Sequence, residues 1–240
     1  MMESMVRRLA VAFQHSRHAP CRSGDIEVFP APSSSEAVNV IAVDWTRDAR
    51  RRLGPRPSVW LPDSSLEVER VNAKLSRDDK KLAALGSIAT DPVVLAVPRA
   101  VRARLRLDRS VPWDTILRWG RRPADDPQAL RIVRADPASS TAALLATAGL
   151  YGAAGDPHAV EQVLERAVGD ETVELCDREQ MAGAGGRPPR AVLVAEQAVL
   201  ASNRGALGGP CGTSRPAEPQ RPGEPMKQLA TNLRTALEGG

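Results

Sequence analysis

The sequence predicts an α/β fold in which helices cover a largely parallel sheet, and three observations lead to this class. Short apolar runs alternate along the chain with helical segments, which is the order typical of layered α/β domains. Polar turns follow several of these runs. Hydrophobic residues make up 42% of the 240 residues and aromatic residues only 3%, so the core must be built mainly from Val, Leu, Ile and Ala. A chain of this length holds one large domain or two small ones.

The first third of the chain is predicted to contain three helices and two short strands. The helices show apolar residues three and four positions apart, whereas the strands are short β-branched or aromatic runs. A helix stop stands at Gly54-Pro55-Arg56-Pro57, where glycine and proline break any regular element. The predicted order is helix 5–17, strand 26–29, a helix that starts near a cap at 33–35, strand 58–61 and helix 66–75.

Residues 86–98 are predicted to form a long strand that is interrupted at Asp91-Pro92. Proline is tolerated inside a strand mainly at an edge or a bend. Two explanations stay open. Either two consecutive strands flank a loop, or one strand leaves one lobe of the protein and enters the next.

Helices and strands continue to alternate as far as residue 203. Residues 205–225 are rich in Gly, Pro, Arg and Ser without apolar periodicity and are predicted to be disordered, and 226–237 have the spacing of one amphipathic helix. The predicted elements between these regions are helices 101–107 and 113–119, strand 132–133, helices 142–150, 158–168 and 172–181, a break at 183–189 and strand 191–195.

The turn between Asp136 and Thr141 is the most informative local pattern. It follows a short β-branched run and precedes an Ala- and Leu-rich helix. Such a turn brings backbone N–H groups and hydroxyl donors to one point, which suits an oxyanion or another small polar ligand. The alternative is that Ser139 or Ser140 merely caps the helix, and on this segment alone the cap is the favoured interpretation.

The sequence shows no pattern of a metal, cofactor or catalytic site. Its three cysteines lie far apart, and no CxxC or histidine-spaced pattern joins them to the three histidines. It contains no GxSxG elbow, phosphate-binding glycine loop or paired-carboxylate signature. A nucleophile at Ser139 or Ser140 would lack a recognisable general base. We therefore expect no cofactor, no metal and no enzymatic activity.

Charge and hydropathy bear on partners and location. The formal net charge is +4, with acidic residues interspersed among the basic ones. The arginine-rich segments 50–52 and 102–109 could contact phosphates, but no aromatic residues interleave with them, which favours a solvated helix face and no nucleic acid partner. No apolar run reaches transmembrane length, and Leu9–Phe13 is shorter than a signal-peptide core. If the chain is complete, we expect a cytoplasmic protein.

Three polar turns are expected to meet at one cleft. They lie at 63–65, 139–141 and 196–197, each directly after a predicted strand. In open α/β sheets, ligands collect at the carboxyl ends of the strands, beside helix N-termini. Five motifs in a fixed order include these turns: Val59–Ser65, Ile88–Pro98, Trp113–Leu117, Asp136–Thr141 and Ala195–Gln197.

The order of these five motifs resembles that of bacterial extracellular solute-binding proteins. The similar branch is the molybdate-like, type 2 periplasmic binding fold, which is often joined to a von Willebrand factor A domain. The resemblance implies two α/β lobes with a ligand between them, joined by crossing strands at 86–97 and 190–195. Lobe one would comprise 1–90 with 195–204, lobe two 91–194, and 205–240 would be a tail.

The resemblance also implies which residues touch the ligand. Each match follows from the position of a motif in the order given above. The implied contacts are Ser64 and Ser65 from lobe one, Thr90, Glu196 and Gln197 near the hinge, and Ser139, Ser140 and Thr141 from lobe two.

The resemblance departs from the family pattern at both ends. The first strand and export signal of the family are not matched, and a Pro- and Arg-rich segment stands where more of lobe one would follow. We expect a truncated member that binds a small polar or anionic solute as a monomer, with a membrane transporter of the ABC type as a possible partner and an extracellular or membrane-anchored location. The alternative is a truncated fragment without function.

Overall fold

The structure is a computed structural model of the chain. Contacts divide it into two compact units: unit 1 comprises Met1–Pro62 and Glu67–Leu82, and unit 2 comprises Asp63–Leu66 and Ala83–Gly240. The residues that the structure describes are 2–15, 26–30, 34–43, 45–75, 81–83, 85–107, 110–167, 175, 181–204 and 211–216.

The described part of unit 1 is helical. The predicted helices at 5–17, after 33–35 and at 66–75 are confirmed to within a few residues, and one further helix lies between the second and the third. The helices are α1 Met2–Gln14, α2 Ser34–Ala42, α3 Arg47–Leu53 and α4 Ser65–Lys74, whose first two residues belong to unit 2.

A small cluster around Trp45 joins α2 to α3. The Trp45 ring packs with Val40 and Ala49, and its Nε1–H donates to the carbonyl oxygen of Gly54 at 3.0 Å. Thr46 caps α3, because its hydroxyl oxygen accepts a hydrogen bond from the Ala49 N–H at 3.3 Å. The helix ends at the predicted stop, where Gly54 has a φ of +88° that favours glycine.

The predicted strands at 26–29 and 58–61 are wrong. Neither segment is a strand, and the side chains of Phe29 and Val59 remain 50% and 64% exposed. A strand forms where a neighbour pairs with its backbone and one face is buried. The described part of unit 1 contains no strand that could serve as such a neighbour.

Unit 2 is built around a single sheet. The predicted strands 132–133 and 191–195 and the helices predicted at 101–107, 113–119 and 142–150 are confirmed with small shifts at their ends. Its elements are β1 Val93–Pro98, α5 Arg99–Leu105, β2 Ser110–Val111, α6 Trp113–Gly120, β3 Arg131–Arg134, α7 Thr141–Ala154, α8 Pro157–Glu161, β4 Leu164–Arg166, a 3₁₀ helix Ala184–Gly186, β5 Arg190–Ala195, α9 Glu196–Arg204 and β6 Cys211–Pro216.

The sheet is mixed, with the strands in the order β2-β6-β1-β5-β3-β4. Three of its five pairings are parallel, namely β2 with β6, β3 with β4 and β3 with β5. β1 runs antiparallel to both of its neighbours, β5 and β6. The predicted α/β class is confirmed.

Both faces of the sheet are buried. On one face, Leu95, Ile132 and Leu193 pack with apolar residues of α5, α6, α7 and α8. On the other face, Val94, Val133 and Val192 pack with Met181 and with apolar residues of α9. Consecutive residues of a strand point to opposite faces, so the uninterrupted Val- and Leu-rich runs of β1 and β5 supply both layers at once.

Three segments differ from prediction. Residues 85–92 form no strand, and β1 begins at Val93, directly after Pro92. The helix predicted at 158–168 ends at Glu161, because Leu164–Arg166 pairs in parallel with β3. Within the tail predicted to be disordered, Cys211–Pro216 forms β6. The helices predicted at 172–181 and 226–237 lie almost wholly or wholly outside the described residues.

The contact-based units do not follow the predicted lobe boundaries. α9 belongs to unit 2, because Val199 packs against the face of the sheet that carries Val94 and Val192. The lobes themselves stay a prediction. In the part of the chain that the structure describes, no helix is long and apolar enough to cross a membrane.

Candidate functional site

The candidate site lies at the edge of the sheet where β5 ends and β1 begins. Because the two strands are antiparallel, Val93 pairs with Ala195. The residues just before β1 therefore lie beside the first turn of α9. This register brings Asp91 next to Gln197, although 106 positions separate them along the chain.

Asp91 caps the N-terminus of α9. Its Oδ1 accepts a hydrogen bond from the Gln197 N–H at 3.0 Å, and the Pro92 carbonyl oxygen accepts one from the Glu196 N–H at 2.9 Å. Helix N-termini attract anions through such unpaired donors. At α9 the carboxylate of Asp91 already occupies the position that a bound anion would take.

The carboxylates at this edge repel one another. The pKa of Asp91 is raised above its ordinary value of 3.8, mainly because neighbouring atoms exclude water from the carboxylate. The negative charges of Glu196 and Asp63 raise it further, while the hydrogen bonds from the N–H groups of Gln197 and Glu196 act in the opposite direction. Asp63 directly precedes Ser64, so the first predicted turn lies within range of the Asp91 charge.

Ser64 presents a hydroxyl without a partner. Its Oγ is fully enclosed and forms no hydrogen bond within the described part of the chain. Two residues further on, buried Leu66 packs against Leu144 and Ala148 of α7. This contact brings the start of α4 to the first turns of α7. The turn that precedes α7, at 139–141, is also one of the three predicted to lie at the cleft.

The turn before α7 uses its donors internally. The Asp136 carbonyl oxygen accepts hydrogen bonds from the N–H groups of Ser139 and Ser140 at 3.0 and 2.9 Å, and from the Ser139 hydroxyl at 3.2 Å. The Ser140 hydroxyl oxygen accepts one from the Ala143 N–H at 3.2 Å. The interpretation of Ser140 as a helix cap is confirmed.

The eight predicted contact residues do not all lie at one site, and they differ in exposure. Ser64, Glu196 and Gln197 lie in the segments that Asp91 and its charged neighbours bring together. Ser65 and Thr90 are exposed beside them in sequence, Ser139 is exposed, Ser140 is half-buried in its capping role, and Thr141 is buried.

Asp63 and Asp91, whose carboxylates contribute negative charge at this edge, were not among the residues predicted to contact the ligand. Both lie inside the motifs Val59–Ser65 and Ile88–Pro98. The available signal was Asp91-Pro92 directly before an apolar run. An acidic residue at the start of one strand lies beside the end of its antiparallel neighbour, and it can cap a helix that begins there. Within the described residues, no group of three or more His, Cys, Asp and Glu side chains is placed to hold a metal ion.

Asp91→Ala and Asp91→Asn should affect stability differently. Alanine removes the acceptor at the start of α9 and is expected to lower the free energy of unfolding by about 1 kcal/mol. Asparagine keeps an acceptor oxygen and removes the charge. Because the folded chain holds the Asp91 proton more tightly than the unfolded chain, ionisation favours unfolding.

Wild-type stability should therefore fall as the pH rises from 3.8 through the raised pKa, and this decline should be smaller in Asp91→Asn. Urea unfolding between about pH 3 and pH 7 measures both effects. If Asp91→Asn were as unstable at pH 7 as Asp91→Ala, the assigned cost of ionising Asp91 in the folded chain would be wrong.

Comparison with known proteins assigns no family. No protein-family model, no curated protein and no solved structure matches this chain. What the chain does must be inferred from its own residues.

Proposed function

We propose that the chain is a non-catalytic solute-binding module whose ligand lies at the edge of the sheet formed by the Asp63–Ser65 turn, Asp91 and the start of α9. The observation that carries the proposal is the meeting of segments that are far apart in sequence, marked by the hydrogen bond between Asp91 and Gln197. Ligand sites of open α/β sheets lie at such strand ends.

The charge of this edge supports a particular class of solute. Asp63, Asp91 and Glu196 lie close enough for two of these carboxylates to raise the pKa of the third. A bound oxyanion would add a further negative charge, and the donors of α9 are already used by Asp91 and Pro92. A neutral polar or cationic solute, such as a sugar or an amine, fits the site better than the oxyanion that the sequence favours.

Ser64 supports the same interpretation. An enclosed hydroxyl without a hydrogen-bond partner leaves polar hydrogen-bonding capacity unused. A solute hydroxyl or ammonium group would satisfy Ser64 Oγ once a local opening of the Asp63–Ser65 turn admitted it, and a small polar probe is therefore the natural test ligand.

The type 2 periplasmic binding fold is part of this proposal. The two segments that the resemblance assigns to the lobe crossings contain β1 and β5, which are antiparallel neighbours in the sheet. A two-lobed member would close around its solute by a hinge motion. In that case the module would lie outside the cytoplasm, and a membrane transporter would be its partner.

Thermal unfolding of the full chain with a panel of solutes tests the proposal. We expect a cooperative transition whose Tm rises with one sugar, amino acid or amine and not with sulfate, phosphate or molybdate. Saturation to about 100 times Kd should add about 2.7 kcal/mol, because the solute binds only the folded state.

Substitutions at the proposed site test where the solute that raises the Tm is bound. Asp63→Asn and Ser64→Ala should reduce the ligand-induced shift, whereas Ser139→Ala should leave it unchanged because Ser139 is exposed and bonded to its own turn. A shift that survives both site variants would place the solute elsewhere. The absence of any cooperative transition would favour the alternative of an incomplete fragment.

A further inference from the structure

The segment that begins with α5 is strongly basic. It carries Arg99, Arg102, Arg104 and Arg106 within eight residues and no acidic residue. All four side chains are exposed, whereas Val101 between them is buried and anchors the helix to the sheet. Arg99, Arg102 and Arg106 are three and four positions apart, which is the spacing of neighbours on one helix face.

These arginines differ from many of the other arginines that the structure describes. Among the described residues, none forms a hydrogen bond or ion pair with the guanidinium group of Arg99, Arg102, Arg104 or Arg106. Many other described arginines are paired. The guanidinium group of Arg118, for example, donates to Asp114 at 3.4 Å and to Thr115 at 2.7 Å.

Arg106 stands at a position whose backbone favours glycine. It ends α5 in the left-handed conformation, with φ +50° and ψ +45°, and its N–H donates to the Ala103 carbonyl oxygen at 3.2 Å. A side chain in this conformation is less favourable than glycine, because its Cβ crowds the backbone. An arginine held at such a position is consistent with a role for its side chain in binding.

The basic segment lies away from the acidic edge of the sheet. Asp91 stands just before the start of β1, and Arg99 directly follows its end. The six residues of β1 that lie between them span roughly 17 Å by themselves. Unit 2 thus carries acidic side chains at one end of β1 and, at the other, basic ones without a partner among the described residues, an arrangement that would orient a polyanion toward α5.

The composition of α5 selects the kind of polyanion. Guanidinium groups bind phosphate oxygens in a bidentate manner. α5 has no aromatic residue on which the bases of a single strand could stack, and no large exposed apolar residue that could enter a membrane. Although the sequence alone favours a solvated helix face and no nucleic acid partner, we propose that Arg99, Arg102 and Arg106 bind the sugar–phosphate backbone of duplex nucleic acid without reading its base sequence.

The salt dependence of binding to a fluorescent DNA duplex of about 20 base pairs tests this proposal. We expect a Kd of about 10⁻⁴ to 10⁻⁶ M at physiological salt, and an affinity that falls steeply as the salt rises. The variant Arg99→Gln/Arg102→Gln/Arg106→Gln should bind more weakly and should lower the slope of log K against log salt by about three, since each lost phosphate contact contributes about 0.9.

Two further variants separate binding from folding. Arg106→Gly removes one charge and relieves the backbone strain, so it should weaken binding without lowering the Tm. Arg118→Gln alters an arginine that is already paired and should leave the slope unchanged. An unchanged slope in the triple variant would overturn the proposal. So would wild-type binding to anionic phosphatidylserine vesicles in place of the duplex.

Discussion

Glu161→Ala is expected to lower the free energy of unfolding by about 2 kcal/mol, because it leaves the nearly buried Arg134 without its carboxylate, although the Glu161 side chain is itself 43% exposed. Arg134 ends β3, and its guanidinium group donates to both carboxylate oxygens of Glu161 at 2.6 and 2.5 Å. It also donates to the Thr147 hydroxyl oxygen on α7 at 2.6 Å. The Arg134 residue is only 9% exposed, so water cannot replace the lost partner fully.

Tyr151 provides a second measure of the same network. Its hydroxyl donates to Glu161 Oε1 at 2.7 Å, and burial together with this hydrogen bond raises its pKa to about 12. The folded chain therefore keeps the Tyr151 proton after the unfolded chain has lost it. Stability should fall as the pH rises from 10.0 through about 12, and Tyr151→Phe should remove this decline.

Urea unfolding of Glu161→Ala measures the first effect, with Asp114→Ala as the matched control. Asp114 pairs with Arg118 on the surface, where both side chains are more than 60% exposed. Loss of this pair should cost less than about 0.5 kcal/mol. If the two variants lowered the free energy of unfolding equally, the burial of Arg134 would not explain the effect of Glu161→Ala.

Gly149→Ala is expected to destabilise unit 2 by about 2 kcal/mol, although alanine is the better helix former by about 1 kcal/mol. Gly149 lies inside α7 and faces the indole of Trp113. A Cβ at this position would lie 2.6 Å from Cε2 and 2.7 Å from Cζ2 of that ring. Contacts that short require the ring or the helix to move in a closely packed core.

A double-mutant cycle with Trp113→Leu checks the cause. The smaller side chain removes the indole, so Gly149→Ala should cost little or become favourable in that background. Thermal or urea unfolding of the four proteins gives the coupling. Additive effects of the two substitutions would mean that the indole is not the obstacle.

Much of the fold follows from local patterns in the sequence. The Val- and Leu-rich runs predict β5 and the later part of the strand that became β1, and Pro112 and Ser140 mark the starts of α6 and α7. These elements are recognisable because each combines a clear apolar pattern with a start or stop signal. The short runs at 26–29 and 58–61 have strand-like composition as well, but no neighbouring strand pairs with them in the described part of unit 1.

The candidate site was predictable only in part. The turns at 63–65 and 196–197 were expected at a common cleft, and the structure brings their segments close through Asp91 and Asp63. That Asp91 fills the N-terminus of α9 depends on the antiparallel register of β1 and β5, which pairs Val93 with Ala195. No local pattern contains that register, because it joins residues about 100 positions apart.

The sequence by itself determined the α/β class, most helices and the strands with continuous apolar runs, because these depend on composition and spacing within a few residues. The tertiary structure decided that Leu164–Arg166 is a strand and that Cys211–Pro216 joins the sheet, because backbone pairing with β3 and β1 outweighs local preference. It also decided the sign of the charge at the candidate site. The antiparallel pairing of β1 with β5 brings Asp91 to the start of α9, where the charges of Glu196 and Asp63 act on its carboxylate.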